Sequence, residues 1–145
     1  MKTSWPEAIK FTFEAEGYAS DLKADPGGST YLGISSHFWP EDYRAVVALA
    51  KEDRQKALKY AEDFYRYHFW TYVDGDDLSH PLDVVAFDGA VNPGPTWARH
   101  TLAITQDWRE VLTIREQHYR TTARPEFLNG LLNRCAALRT KYKEE

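Results

Sequence analysis

Apolar residues recur at helical spacing over most of the chain, and this pattern predicts a mostly α-helical fold. The first helix is expected from Trp5 to Glu16, because Ser4 and Glu7 have the spacing of a capping box and Gly17 is a natural stop. Six further helical stretches are expected, over residues 40–50, 52–69, 81–91, 96–104, 107–123 and 125–142.

Two segments break this uniform pattern. Residues 30–35 have the pattern of a strand, so a very small β element is expected shortly after the first helix. The stretch 81–91 is nearly uncharged, and its apolar residues cover almost the whole circumference of a helix, which predicts a buried central helix. Asp88 lies inside this stretch and therefore needs a buried partner, for which an arginine is the expected choice.

The length and composition indicate one soluble globular domain over residues 1–145. Hydrophobic residues make up 43% and charged residues 28%, which is too apolar for a disordered chain. No stretch has the length and apolar character of a membrane span, so no stable membrane insertion is expected. The first residues lack the pattern of a secretory signal, so we expect synthesis in the cytoplasm and a separate means of release.

The charge of the chain and the positions of its cysteine and histidine residues argue against several kinds of partner and site. The formal net charge of −4 gives no basic surface for nucleic acid. Cys135 is the single cysteine, so no internal disulfide forms, and its leucine-rich surroundings indicate a buried structural thiol. The five histidines are scattered without metal-ligand spacing, and the Asp-Gly-Asp-Asp turn at 74–77 lacks the ligand pattern of a calcium loop. We expect a monomer without a metal or cofactor.

Helix one carries the strongest candidate for chemistry. Glu16 falls at the end of the apolar stripe formed with Ile9 and Phe13, whereas Glu14 falls on the polar side of the helix. Burial disfavours a carboxylate, and so does the negative end of a helix, so both effects predict a raised pKa for Glu16. A protonated carboxyl group is what a glycosidic leaving oxygen requires. The alternative is that a glutamate in the last helical turn points into solvent.

Two further features suit a carbohydrate cleft. Asp25, in the Asp-Pro-Gly-Gly loop after helix one, is a candidate for a second carboxylate facing Glu16, although it could also serve only to organise the turn. Aromatic residues make up 14% of the chain, which fits either a core rich in large rings or a groove that stacks on sugars. Tyr31 and Trp70 are the candidate stacking platforms, with a core position as the alternative for each.

Three segments in order carry a family resemblance. The first is FEAEGYASDLKADPGGSTYLGIS, from Phe13 to Ser35; the second is AFDGAVNPGP at 86–95; the third is FLNGLLNRCAALR at 127–139. Together they resemble the phage and bacterial lysozyme family that includes N-acetylmuramidase endolysins and secretion-activator proteins. After Pro95 the chain lacks the insert that forms a peptidoglycan-binding module in many relatives, so shortened C-terminal helices are expected there.

The resemblance implies a lysozyme-like single domain that hydrolyses the bond between N-acetylmuramic acid and N-acetylglucosamine in peptidoglycan. It implies a phage or prophage endolysin that reaches the cell wall after release. A lytic transglycosylase, and a wall-binding or phage structural protein without activity, remain as alternatives. By position, the implied catalytic residues are Glu16 as general acid and Asp25, and the implied substrate-binding residues are Tyr18, Thr30, Tyr31 and Asn92.

Overall fold

The computed structural model describes residues 3–18 and 29–145, and these fall into two compact units. The larger unit consists of residues 3–8 and 69–145, and the smaller unit consists of residues 9–18 and 29–68. The expectation of one domain over residues 1–145 stays a prediction.

The described residues form seven α-helices and one two-stranded antiparallel sheet, which confirms a mostly α-helical fold with a very small β element. The elements are α1 (Trp5–Glu16), β1 (Thr30–Tyr31), β2 (Ile34–Ser35), α2 (Pro40–Glu52), α3 (Arg54–Tyr65), a π-helical turn (Arg66–Trp70), a 3-10 turn (Gly75–Asp77), α4 (Leu82–Val91), α5 (Pro95–Ile104), α6 (Trp108–Thr122) and α7 (Pro125–Lys141). None of the helices in the described ranges is both long and apolar enough to cross a bilayer.

The larger unit is built around α4. Every residue from Leu82 to Ala90 is buried, as the nearly uncharged circumference of this helix predicts. Helices α5 and α6 pack against it. The rings of Trp5, Trp70 and Phe87 meet edge to face with centroids 5.1–6.0 Å apart, a favoured arrangement for aromatic side chains.

The carboxylate of Asp88, deep in this core, is neutralised by arginine, as the sequence predicts. The Asp88 carboxylate is fully buried and accepts hydrogen bonds from Arg115 Nη1 at 2.8 Å and from Arg134 Nη2 at 2.7 Å. Two arginines rather than one therefore surround it. Cys135 is also fully buried, and burial raises the pKa of its thiol, which fits the structural role expected for it.

The start of α1 differs from the predicted capping box. The Ser4 hydroxyl lies 3.0 Å from His80 Nδ1, and the Glu7 carboxylate accepts a hydrogen bond from the Tyr142 hydroxyl. These two side chains are thus occupied by partners far along the chain. They tie the first turn of α1 to the remainder of the larger unit.

The β element of the smaller unit is a hairpin rather than the single extended segment that the pattern indicates. Thr30 pairs with Ser35 and Tyr31 with Ile34, so Leu32 and Gly33 form a two-residue turn. Both turn residues have positive φ, of 50° and 78°. A side chain at Gly33 would also meet the Tyr65 hydroxyl, because a Cβ there would lie only 2.0 Å from that oxygen.

Helices α2 and α3 are joined by Asp53, which ends the first and caps the second. Its carboxylate accepts a hydrogen bond from the Gln55 amide at 2.9 Å, so α3 begins at Arg54. The Tyr60 hydroxyl of α3 donates to Asp42 of α2 at 2.5 Å, and this hydrogen bond raises the pKa of Tyr60 to about 12. The bond therefore ties the two helices together only while Tyr60 is protonated.

We expect Tyr60→Phe to be less stable than wild type by about 1 kcal/mol at neutral pH, because it lacks this hydrogen bond. The folded pKa lies above the ordinary value of about 10, so the bond's full contribution is present below pH ~10 and is lost as the pH rises towards ~12. Urea unfolding of both proteins across this range measures the difference, with Tyr67→Phe as control for the loss of one tyrosine. A stability difference that stays constant with pH would contradict the assignment.

Candidate active site

The position of Glu16 follows from the buried side of α1. Ile9, Thr12 and Phe13 are 6%, 0% and 7% exposed, and Glu16 lies one turn beyond the last two of them. Glu16 is half-buried, whereas Glu14 is exposed to solvent. The described structure therefore places a carboxyl group at the end of an apolar stripe and at the C-terminal end of a helix, as the sequence predicts.

Tyr18 and Thr30 belong to the same unit as Glu16. The Tyr18 ring is half-buried, with its centroid 5.1 Å from that of Phe13, and its hydroxyl accepts a hydrogen bond from Tyr65 at 3.3 Å. Thr30 is exposed at the start of β1. Tyr18 is thus held in place by its neighbours, and the Thr30 hydroxyl is accessible to a ligand.

The second carboxylate of the proposed pair, Asp25, lies outside the described residues. The glycines of its Asp-Pro-Gly-Gly loop lie outside them as well. The role of Asp25 stays a prediction.

The two candidate stacking platforms are core residues. Tyr31 is 2% exposed and Trp70 is 1% exposed, so neither ring presents a face on which a sugar could stack. The Trp70 indole donates a hydrogen bond to Asp76 at 3.0 Å, which satisfies its one polar atom. The prediction that Tyr31 and Trp70 stack on substrate is therefore corrected to the alternative stated for each, a place in the core.

Asn92 lies in the larger unit, where it follows the last residue of α4. Its side chain is half-buried, and both its backbone oxygen and its Oδ1 face the Tyr119 hydroxyl, at 2.8 and 2.9 Å. Tyr119 in turn accepts a hydrogen bond from Arg115 at 2.9 Å. The sequence did not indicate Tyr119 or Arg115 as residues near the site. Their spacing of four residues on α6 indicates only that they share a helix face.

Metal ligands do not cluster in the part of the chain that the structure describes. Within residues 3–18 and 29–145, no group of three or more histidine, cysteine, aspartate or glutamate side chains could hold a metal ion.

Comparison with known families decides the class of protein. The family model described as Glycosyl hydrolase 108 matches residues 9–94, which is more than half of the chain. The chain belongs to the Glycosyl hydrolase 108 family. No curated protein and no solved structure matches it.

Membership in Glycosyl hydrolase 108 makes the protein a glycosidase with a lysozyme-like, peptidoglycan-degrading function. The matched range begins at Ile9 in α1 and ends at Gly94, just after α4. It contains every residue that the sequence predicts for the site, namely Glu16, Tyr18, Asp25, Thr30, Tyr31 and Asn92.

Proposed function

We propose that this Glycosyl hydrolase 108 member is an N-acetylmuramidase, with Glu16 as its general acid. The enzyme would hydrolyse the β-1,4 bond between N-acetylmuramic acid and N-acetylglucosamine. The observation that supports this most is the half-buried position of Glu16 at the end of the apolar stripe of α1, near the start of the range matched by the family.

The surroundings of Glu16 suit an acid better than those of Glu14. Glu16 is half-buried beside the apolar side of α1, so a bound glycan would shield its carboxyl group from bulk water. As general acid it would give a proton to the leaving oxygen of the sugar, a step worth roughly 10²–10⁴-fold in rate. Glu14 is exposed on the other side of α1 and has no such setting.

The remaining step needs a water molecule at the sugar carbon. We propose Asp25 as the carboxylate that activates this water or stabilises the positive charge on the ring. A separation of about 6.5–9.5 Å between the two carboxyl groups would invert the anomeric configuration, and about 5–5.5 Å would retain it. Thr30 and Tyr18 would bind the sugar through their hydroxyl groups, and Asn92 through its side-chain amide.

We propose that the enzyme acts as a monomer and as an endolysin of a phage or prophage. It would be made in the cytoplasm and would reach the wall only after release. The net charge of −4 gives no long-range attraction to an anionic wall, so binding must come from local contacts with the glycan.

Mass spectrometry of the fragments released from purified walls tests this function. Hydrolysis at muramic acid should give fragments with reducing N-acetylmuramic acid ends, which borohydride reduces. A lytic transglycosylase needs only one carboxyl group, and its anhydro products would be lighter by one water and resistant to borohydride. Anhydro ends, reducing N-acetylglucosamine ends, or protein that sediments with walls but releases nothing would each contradict the muramidase proposal.

A further inference from the structure

The buried ion cluster of the larger unit contains one carboxylate, that of Asp88, and two arginines, Arg115 and Arg134. Arg134 binds the Asp88 carboxylate through two nitrogens, with Nε 2.9 Å from Oδ2 and Nη2 2.7 Å from Oδ1. Arg115 adds one bond from Nη1 at 2.8 Å. The single positive charge of Arg134 is enough to balance the negative charge of the Asp88 carboxylate. Arg115 therefore brings a second positive charge into the core.

This second guanidinium group is directed at Tyr119. Arg115 is fully buried, and its Nε donates to the Tyr119 hydroxyl at 2.9 Å. Its Nη2 has no hydrogen-bond partner among the described residues. A buried cation that donates to a phenol oxygen draws electron density from it, and this strengthens the hydrogen bond that the phenol itself donates.

The Tyr119 hydroxyl in turn donates a hydrogen bond to Asn92. This hydroxyl is shared between the backbone oxygen and Oδ1 of Asn92, at 2.8 and 2.9 Å. Burial raises the pKa of Tyr119 and Arg115 lowers it, with a net upward shift, so the hydroxyl keeps the proton that it donates. Because Oδ1 faces Tyr119, the amide nitrogen of Asn92 is turned to the other side, and among the described residues it donates no hydrogen bond.

We propose that Tyr119 is a positioning residue that holds the Asn92 amide so that its N–H donates to the N-acetyl carbonyl of the glycan, with Arg115 and Asp88 holding Tyr119 in turn. This rests on the proposed function, because it needs Asn92 to contact the sugar. An amide that is free to rotate would present oxygen or nitrogen to the ligand, whereas the fixed amide presents only its donor.

The cost of the cluster supports a positioning role over a purely structural one. Helix α4 is otherwise apolar over its buried length except at Asp83 and Asp88, and apolar residues of similar volume often stabilise a core as well as a buried ion pair does. What the ions provide and apolar residues do not is a fixed direction for the hydrogen bonds that end at Asn92.

The test is binding of the N-acetylglucosamine trisaccharide, measured by isothermal titration calorimetry in every variant and also by the NMR signals of the Asn92 side-chain amide where Asn92 is present. We expect the trisaccharide to shift these signals in wild type. Tyr119→Phe removes only the hydroxyl and should weaken binding roughly three- to tenfold, the loss expected for one well-aligned hydrogen bond. Asn92→Asp keeps the oxygen that faces Tyr119 but removes the N–H, and it should weaken binding by a similar factor.

The double variant separates positioning from a general structural effect. Tyr119→Phe with Asn92→Asp should bind as weakly as Asn92→Asp alone, because the hydroxyl acts only through the amide. Tyr142→Phe is the matched control, since it also removes a hydroxyl bonded to a side chain of the larger unit and should bind as wild type does. Wild-type binding by Tyr119→Phe, or losses that multiply in the double variant, would overturn the proposal.

Failure of the muramidase proposal would look different. The binding assay does not depend on proton transfer by Glu16. If Glu16 were not the general acid, the trisaccharide would still bind and the coupling between Tyr119 and Asn92 would still be measured. If Tyr119→Phe does not fold, Asn92→Asp still decides the matter: full binding by Asn92→Asp would show that its N–H is not used.

Discussion

Asp88→Ala should lower the free energy of unfolding by about 3–5 kcal/mol, because it leaves two buried guanidinium groups without their counter-ion. The Asp88 and Arg115 side chains are fully buried and that of Arg134 is 8% exposed. Burial lowers the pKa of Arg115 and Asp88 raises it, with a net upward shift, so Arg115 stays charged in the native protein. Urea unfolding of the variant and the wild type measures the loss.

Glu116→Ala is the matched control for this effect. Glu116 also pairs with an arginine of α7, with Arg139 Nη2 2.8 Å from its carboxylate, but the two side chains are 20% and 35% exposed. Water can solvate the charge that remains, so we expect a loss of about 1 kcal/mol or less. Equal losses in the two variants would show that burial of the Asp88 cluster does not decide its contribution.

The fold was largely predictable because most of its helices carry local signals. Helix α1 begins and ends where the sequence predicts, and α4 is buried because almost no charged residue interrupts it. The π-helical turn Arg66–Trp70 and the hairpin turn at Leu32 and Gly33 were not predicted. Positive φ at a leucine has no local signature, and it depends on contacts with side chains such as Tyr65 that lie far along the chain.

The candidate site was predictable only in part, for a similar reason. Periodicity on one helix is enough to distinguish Glu16 from Glu14, since their faces differ by the geometry of the helix alone. Exposure of an aromatic ring is set by the tertiary fold, so the sequence alone did not decide whether Tyr31 and Trp70 lie in the core or contact a ligand. The bond from Tyr119 to Asn92 joins residues 27 positions apart, and no local pattern reports it.

Glu16→Gln should lower the rate of peptidoglycan hydrolysis by roughly 10²–10⁴-fold, because glutamine has the shape of glutamate but cannot act as the acid. The structural cost should be small, since Glu16 is half-buried and ends its helix. Loss of activity with an unchanged melting temperature would therefore assign the effect to chemistry. Glu14→Gln, two residues earlier and exposed, makes the same change of charge on the other side of α1 and should clear walls at nearly the wild-type rate.

The wall-clearing rate of wild type beside Glu16→Gln and Glu14→Gln tests the central claim most directly. We expect a turbid wall suspension to clear with wild type and with Glu14→Gln, and to stay turbid with Glu16→Gln on the same time scale. Clearing by Glu16→Gln at the wild-type rate would contradict that claim.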